Sequence, residues 1–161
     1  MSYKRIISIA IVFCLTMFVQ LVRAQQPYDV TECYSFVFKP LLESKELTAL
    51  SYDATGIVQS LHENKVFDNF TIHSVGIRRV MTGKGTTYGY FKYLDPDGDT
   101  FVMEGIAVGE DVTMKFIHGT GKWKDIKGEG KIKRTTRGKP VMPSTAQMCL
   151  RHTGTFSLPK R

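Results

Sequence analysis

The chain lacks the short signatures that mark whole enzyme classes. It has no Gly-x-Ser-x-Gly elbow, and Gly119-Thr-Gly-Lys122 is not a P-loop, which needs Gly-x-x-x-x-Gly-Lys-Ser/Thr. Triad hydrolysis and nucleotide chemistry are therefore disfavoured. Histidine is scarce: His62, His73, His118 and His152 fall in different segments, and none lies two or four residues from another. That spacing asks for no metal, and no cofactor is expected. There is no internal repeat, low-complexity run or heptad pattern. The 161 residues hold only three cysteines, and acids are nearly missing from the last third, where residues 115–161 carry 2 acids against 12 bases.

One apolar run is present, and it sits at the start. Lys4 and Arg5 precede Ile6 to Val22, interrupted only by Ser8, Thr16 and Gln20, and Val22-Arg23-Ala24 places small residues at the −3 and −1 positions. The pattern predicts a secretory signal peptide over residues 1–24, cleaved near Ala24. The run is shorter than the roughly 20 residues of a spanning helix. Cys14 is not a lipid-attachment site, because bulky Phe13 precedes it. The expected product is secreted or periplasmic, with residues 25–161 forming one domain around one core.

Without the first 24 residues the balance is 19 basic against 15 acidic residues, a net +4 instead of +7. The cationic C-terminal third fits either a solvated lysine face that guards a β-protein's edges or a surface that meets an anionic envelope polymer or lipid. An exported chain seldom meets nucleic acid, so no nucleic-acid partner is expected. Cys33 and Cys149 remain, and in an oxidising compartment such a pair forms a disulfide. The competing reading is two buried free thiols.

From Cys33 onward apolar and polar residues alternate with period two, and turn residues interrupt them too often for crossover helices. The pattern predicts an all-β, antiparallel sheet, open or closed on itself. Strands are expected over Tyr34–Phe38, Ala54–Leu61, Phe70–Val80, Thr87–Leu94, Thr100–Val108, Val112–His118, Lys122–Arg134 and Gln147–Leu158, with a helical turn or two allowed in Leu41–Leu50. Asp95-Pro-Asp-Gly-Asp99 has the residues of a hairpin turn. It is not an EF-hand, since Ile106 stands where the bidentate Glu belongs.

Asp95-Pro-Asp-Gly-Asp99, Gly119-Thr-Gly-Lys-Trp-Lys-Asp-Ile-Lys-Gly-Glu-Gly130 and Cys149-Leu-Arg-His-Thr-Gly-Thr-Phe156 resemble segments of a group of exported bacterial proteins. Those proteins in turn resemble the allene oxide cyclase and dirigent barrel superfamily. The resemblance covers roughly residues 54–158 and rests on turn glycines and a packed aromatic. It implies a single closed antiparallel barrel of about eight strands, whose interior in plant members holds an oxylipin or a coupling phenoxy radical, and it implies a homo-oligomer. Asp125 departs from the pattern, standing where glycine is usual. No catalytic residue of the plant members maps onto this chain.

Glu104 is the candidate that the residues themselves single out, because both faces of its strand are largely apolar. Such a carboxylate sits at a rim or is buried with a partner. Arg151 is the expected partner, with Tyr88 and Tyr90 on the neighbouring strand. Glu104, Tyr90 and Arg151 are the catalytic candidates, against a polar network that satisfies only itself. Tyr88, Tyr90, Glu104, His118, Trp123 and His152 are the ligand-binding candidates. Trp123 either plugs a barrel end or stacks on a ligand. Asn69-Phe70-Thr71 fits the N-glycosylation acceptor, which matters only in a eukaryotic host.

Three functions follow as expectations. The first is a non-enzymatic barrel that binds an apolar small molecule in its interior. The second is an isomerase or cyclase of the allene oxide cyclase type acting through the same pocket. The third is a cationic protein that docks on envelope polyanions.

Overall fold

The computed structural model describes residues 25–109 and 111–159; the expected signal peptide, Cys14 and its cleavage site lie outside them. Among the described residues eight strands form: β1 (Gln26–Glu43), β2 (Leu47–Ser60), β3 (Thr71–Met81), β4 (Lys84–Leu94), β5 (Thr100–Val108), β6 (Asp111–Gly119), β7 (Lys127–Arg137) and β8 (Thr145–Ser157). Each pairs antiparallel with the next, and β8 returns to β1, so the sheet is a closed barrel in simple meander order. The fold class is the one the alternation predicts.

Alternation sets which side chains fill it. On β1 the even positions Tyr28, Val30, Glu32 and Tyr34 are buried while Ser35, Val37 and Lys39 are exposed. Matching inward rows come from Tyr52, Ala54 and Val58 on β2, Phe101 and Met103 on β5, and Met114 and Phe116 on β6. Cys33 and Cys149 are register partners across the β1–β8 seam, on the outward parity, and they form a disulfide spanning 116 residues. The staple ties the first strand to the last where the barrel closes.

Two local expectations need correction. Leu41–Leu50 contains no helical turn: β1 continues through Pro40, where the ladder shifts register, and β2 starts at Leu47. The turn between them is held by Ser44, whose N–H and hydroxyl donate to the Leu47 carbonyl while its Oγ accepts from the Leu47 N–H. Pairing on both sides overrides local helix propensity here. The strand after Gly119-Thr-Gly121 starts at Lys127, not Lys122, because Gly121–Trp123 forms a 3-10 turn. Asp125 follows with φ of +60°, a left-handed conformation that Asp tolerates and glycine adopts freely.

The ends of the barrel differ. At one end the long connection between β2 and β3 folds Phe67 and Phe70 inward against Phe101, Trp123 and Phe156, all at most 4% exposed. That end is plugged. At the other end the connections are the turns after β1, β3 and β5 and the stretch after β7. The inward side chains approaching it, Phe36, Phe38, Phe91, Val112 and Leu150, pack on the core yet stay partly exposed.

Candidate functional site

Among the described residues, Glu32 is the carboxylate on the inward parity of the strands, and sequence reasoning did not name it. Glu32 is 0% exposed and accepts three hydrogen bonds: from the Tyr34 hydroxyl at 2.9 Å, the Tyr93 hydroxyl at 2.9 Å and His152 Nδ1 at 2.8 Å. On the other side of the ring, His152 Nε2 lies 2.8 Å from the Tyr28 hydroxyl. A carboxylate accepts only, so Nδ1 carries the proton that faces it. In the neutral ring Nε2 is then the acceptor for Tyr28. The chain Tyr28, His152, Glu32, Tyr34 and Tyr93 leaves none of its buried side-chain polar atoms without a partner.

The glycines of β7 and β8 make room for it. Gly130 and Gly154 are register partners, and a side chain at either would collide with the Tyr28 hydroxyl, at Gly130 also with His152. This explains the glycine at position 130 on β7; at Gly128 a side chain would meet the Thr155 backbone instead. The same device recurs across the barrel, where Gly76, Gly89 and Gly105 align on β3, β4 and β5. The Tyr52 ring fills the space over Gly76 and Gly89, and Phe91 and Met114 fill the space over Gly105.

Burial raises the hydroxyl pKa of Tyr28, Tyr34 and Tyr93, and the nearby Glu32 charge pushes all three further up. These phenols stay protonated and donate. Tyr52 is also raised by burial, and the Ser74 hydroxyl beside it counters only part of that effect.

The sequence candidates fall in three places. His152 is in the interior network. Trp123 is buried in the plugged end, where its indole N–H donates to Asp95 at 2.8 Å. Tyr88, Tyr90 and Glu104 share the outer wall: the two hydroxyls are 2.7 Å apart, and Glu104 lies 3.4 Å from Tyr88. The hydrogen bond shared with Tyr90 holds the Tyr88 hydroxyl up at about 12. His118 is exposed at the β5–β6 bulge. Glu104 does not meet Arg151. That guanidinium grips Asp29 through two hydrogen bonds on the outer face of the β1–β8 seam, which lowers the Asp29 carboxyl.

Asp95-Pro-Asp-Gly-Asp99 serves as a clamp between connections. Asp95 Oδ1 accepts the N–H groups of Asp97 and Asp99, and Oδ2 accepts from Trp123 and from the Lys122 ammonium at 2.8 Å. Burial pushes the Asp95 carboxyl up, but those donors together outweigh it and hold it below the usual carboxylate range. Lys122 is thus folded back onto acids, whereas Lys127, Lys131 and Lys133 stand exposed along the outer face of β7. Among the described residues no three His, Cys, Asp or Glu side chains converge as a metal site. On the outer wall an open groove of about 860 Å³ runs beside the disulfide, lined by Thr55, Ile57, His73, Leu94 and Met148.

No protein-family model matches the sequence, and no curated protein matches it significantly. Among solved structures the barrel is similar to the pterocarpan synthase dirigent protein PsPTS1, with a TM-score of 0.51 at 13% identity over 84% of this chain and 97% of that one. It is similar also to the pterocarpan synthase dirigent protein GePTS1, with a TM-score of 0.50 at 12% identity over 85% of this chain and 88% of that one. The likeness is one of fold alone, a barrel like those of the two dirigent proteins.

Proposed function

We propose that this is an exported barrel that holds an apolar small molecule, without transforming it, in the end of the cylinder opposite the Trp123 plug. The carrying observation is the contrast between the ends. Aromatic side chains seal one, whereas Phe36, Phe38, Phe91, Val112 and Leu150 face inward at the other and keep part of their surface free. Inward-facing apolar surface that its neighbours leave partly uncovered is what a weakly polar ligand covers. Phe36 and Phe38 stack with their planes 8° apart, a wall suited to a flat body. The disulfide agrees with an oxidising compartment.

The test is titration of the exported protein with N-phenyl-1-naphthylamine, an uncharged apolar fluorophore, alongside native mass spectrometry for a copurified adduct. Saturable single-site binding that Phe38→Ser and Phe91→Ala each weaken severalfold supports the reading. Absent or unsaturable binding by a protein with native circular dichroism overturns it.

The isomerase or cyclase reading has one observation in its favour: a carboxylate, an imidazole and a phenol in a row are the parts of a proton relay. Against it, Glu32 and His152 are buried and every donor and acceptor is already matched. The two readings separate on the molecule recovered. Wild type and Tyr28→Phe carry the same adduct if the barrel only holds it, and different ones if it reacts there.

A further inference from the structure

The open end carries two features that the interior does not explain. Each of its four connections, or the strand end beside it, presents apolar side chains to solvent: Leu41 and Leu42 at the end of β1, Met81 at the end of β3, Val108 before the β5–β6 turn, and Val141 and Met142 after β7. Val141 and Met142 are 80% and 62% exposed, and Pro140 and Pro143 bracket them, fixing φ on both sides of a protruding tip. Apolar residues scattered singly over a surface are ordinary, and Leu61, Leu94 and Ile117 stand so near the plugged end, but six at the open end, with Val141 the most exposed of all, make a patch.

Charge follows the same geometry. The segments at the open end, residues 39–47, 78–85, 108–112 and 134–145, hold eight Lys and Arg against four Asp and Glu. The connections at the plugged end, residues 60–71, 94–100 and 119–127, hold four against six. Arg78 and Arg134 take the inward parity of β3 and β7, strands that stand opposite each other in the closed order, and among the described residues neither forms a salt bridge. The Arg78 guanidinium lies along the inner face beside Gly85. Among these connecting segments the excess of positive charge lies at the apolar rim.

We propose that the open rim is a docking surface for an anionic lipid bilayer. The tips enter the boundary between headgroups and acyl chains, the surrounding cations meet the acidic headgroups, and the plugged end points away. This orientation sets the barrel mouth against the membrane, but docking needs no occupant in the barrel and stands on different residues from the ligand reading. A linear acidic polymer fits less well, because it has no use for exposed Leu, Met and Val. The rival surface for such a polymer is the Lys127, Lys131 and Lys133 stripe along the outside of β7.

The experiment is cosedimentation of the exported protein with phosphatidylcholine vesicles, with and without about a third phosphatidylglycerol. Binding to the acidic vesicles that weakens as salt rises is the expected result. Val141→Asp with Met142→Asp, in an exposed connection outside the strand ladders, should reduce binding at least tenfold. Arg79→Gln should reduce it about fivefold, the scale of one cation at an acidic surface. Lys131→Gln with Lys133→Gln, and Ile77→Thr on the outer wall, should leave it unchanged. Equal binding to neutral vesicles, no binding to either, or loss through the β7 lysines with the tip variant unaffected overturns the proposal. N-phenyl-1-naphthylamine binding should survive the tip variant, so failure here and failure of the ligand reading are seen separately.

Discussion

His152 Nδ1 lies 2.8 Å from Glu32 Oε1 across the β1–β8 seam, and both side chains are buried. The pair stands inside a wall of apolar side chains, so its value depends on every donor finding an acceptor. Glu32→Gln keeps the shape but brings an amide NH2 up against one of three donors. The expected cost is about 2–4 kcal/mol, since breaking a buried network leaves a desolvated group unmatched. Tyr93→Phe removes a single donor and should cost about 1 kcal/mol. Urea unfolding at constant m-value measures both. A stable Glu32→Gln protein that has lost only its ligand would instead make the network part of the binding site.

The disulfide permits a second prediction. Joining residues 116 apart removes much of the freedom of the unfolded chain, about 4–5 kcal/mol in the chain-entropy account. Cys33→Ser with Cys149→Ser should therefore lose about 2–4 kcal/mol, the lower figures following if the unfolded state stays compact. The barrel should still close, because β1 and β8 are paired in register from Gln26 to Val37. Far-UV circular dichroism unchanged beside a lower urea midpoint is the expected pair of results. A variant that no longer folds would mean that the staple, not the ladder, closes the sheet.

Why the barrel was legible while its polar centre was not can be argued from two glutamates. On β5, Val102, Ile106 and Val108 take one parity and Phe101, Met103 and Ala107 the other, so alternation cannot tell inside from outside. Glu104 drew attention because it was ambiguous, and it lies on the outer wall. On β1 the two parities differ sharply, Tyr28, Val30, Tyr34, Phe36 and Phe38 against Asp29, Thr31, Ser35 and Lys39. Glu32 stands in the apolar row. That signal was readable, and it is the one that places a carboxylate in the core. Its partner was not readable, because the β1–β8 seam that sets Val30 against His152 joins the two ends of the chain. Turn chemistry travelled better: Asp95-Pro-Asp-Gly-Asp99 predicts the β4–β5 hairpin, but that Asp95 also clamps Trp123 depends on packing that no local pattern carries.

Asp95 should dominate stability in acid. Its carboxyl is held below the ordinary value, so the stability it contributes is present above the unfolded pKa, near 4, and is lost as pH falls through the lower folded value. Lys122 is raised by its bonds to Asp95 and Asp97 and stays charged throughout. Asp95→Asn should cost about 2–4 kcal/mol at neutral pH, since it turns an acceptor of Trp123 and Lys122 toward them as a donor. The difference from wild type should shrink below about pH 4. A gap that stays constant down to pH 2 would falsify the assignment of this limb to Asp95.

At the alkaline limit the tyrosines reverse the sign. Tyr28, Tyr34 and Tyr93 are raised by burial and by the nearby Glu32 charge, so folding holds them in the protonated form. The stability tied to that form is complete below the unfolded value, near 10, and is lost progressively as pH rises beyond it. Ionising any of the three would place a phenolate beside a carboxylate in the core, so the fold should yield before the hydroxyls titrate singly. Absorbance at 295 nm and far-UV circular dichroism, followed together from about pH 9 to 13, should show the buried tyrosines ionising in the same step as the loss of strand signal. Tyr28→Phe, with one buried phenol fewer, should move that step to higher pH. Smooth ionisation of every tyrosine while the strand signal persists would mean that solvent reaches these hydroxyls and that the interior around Glu32 is not sealed.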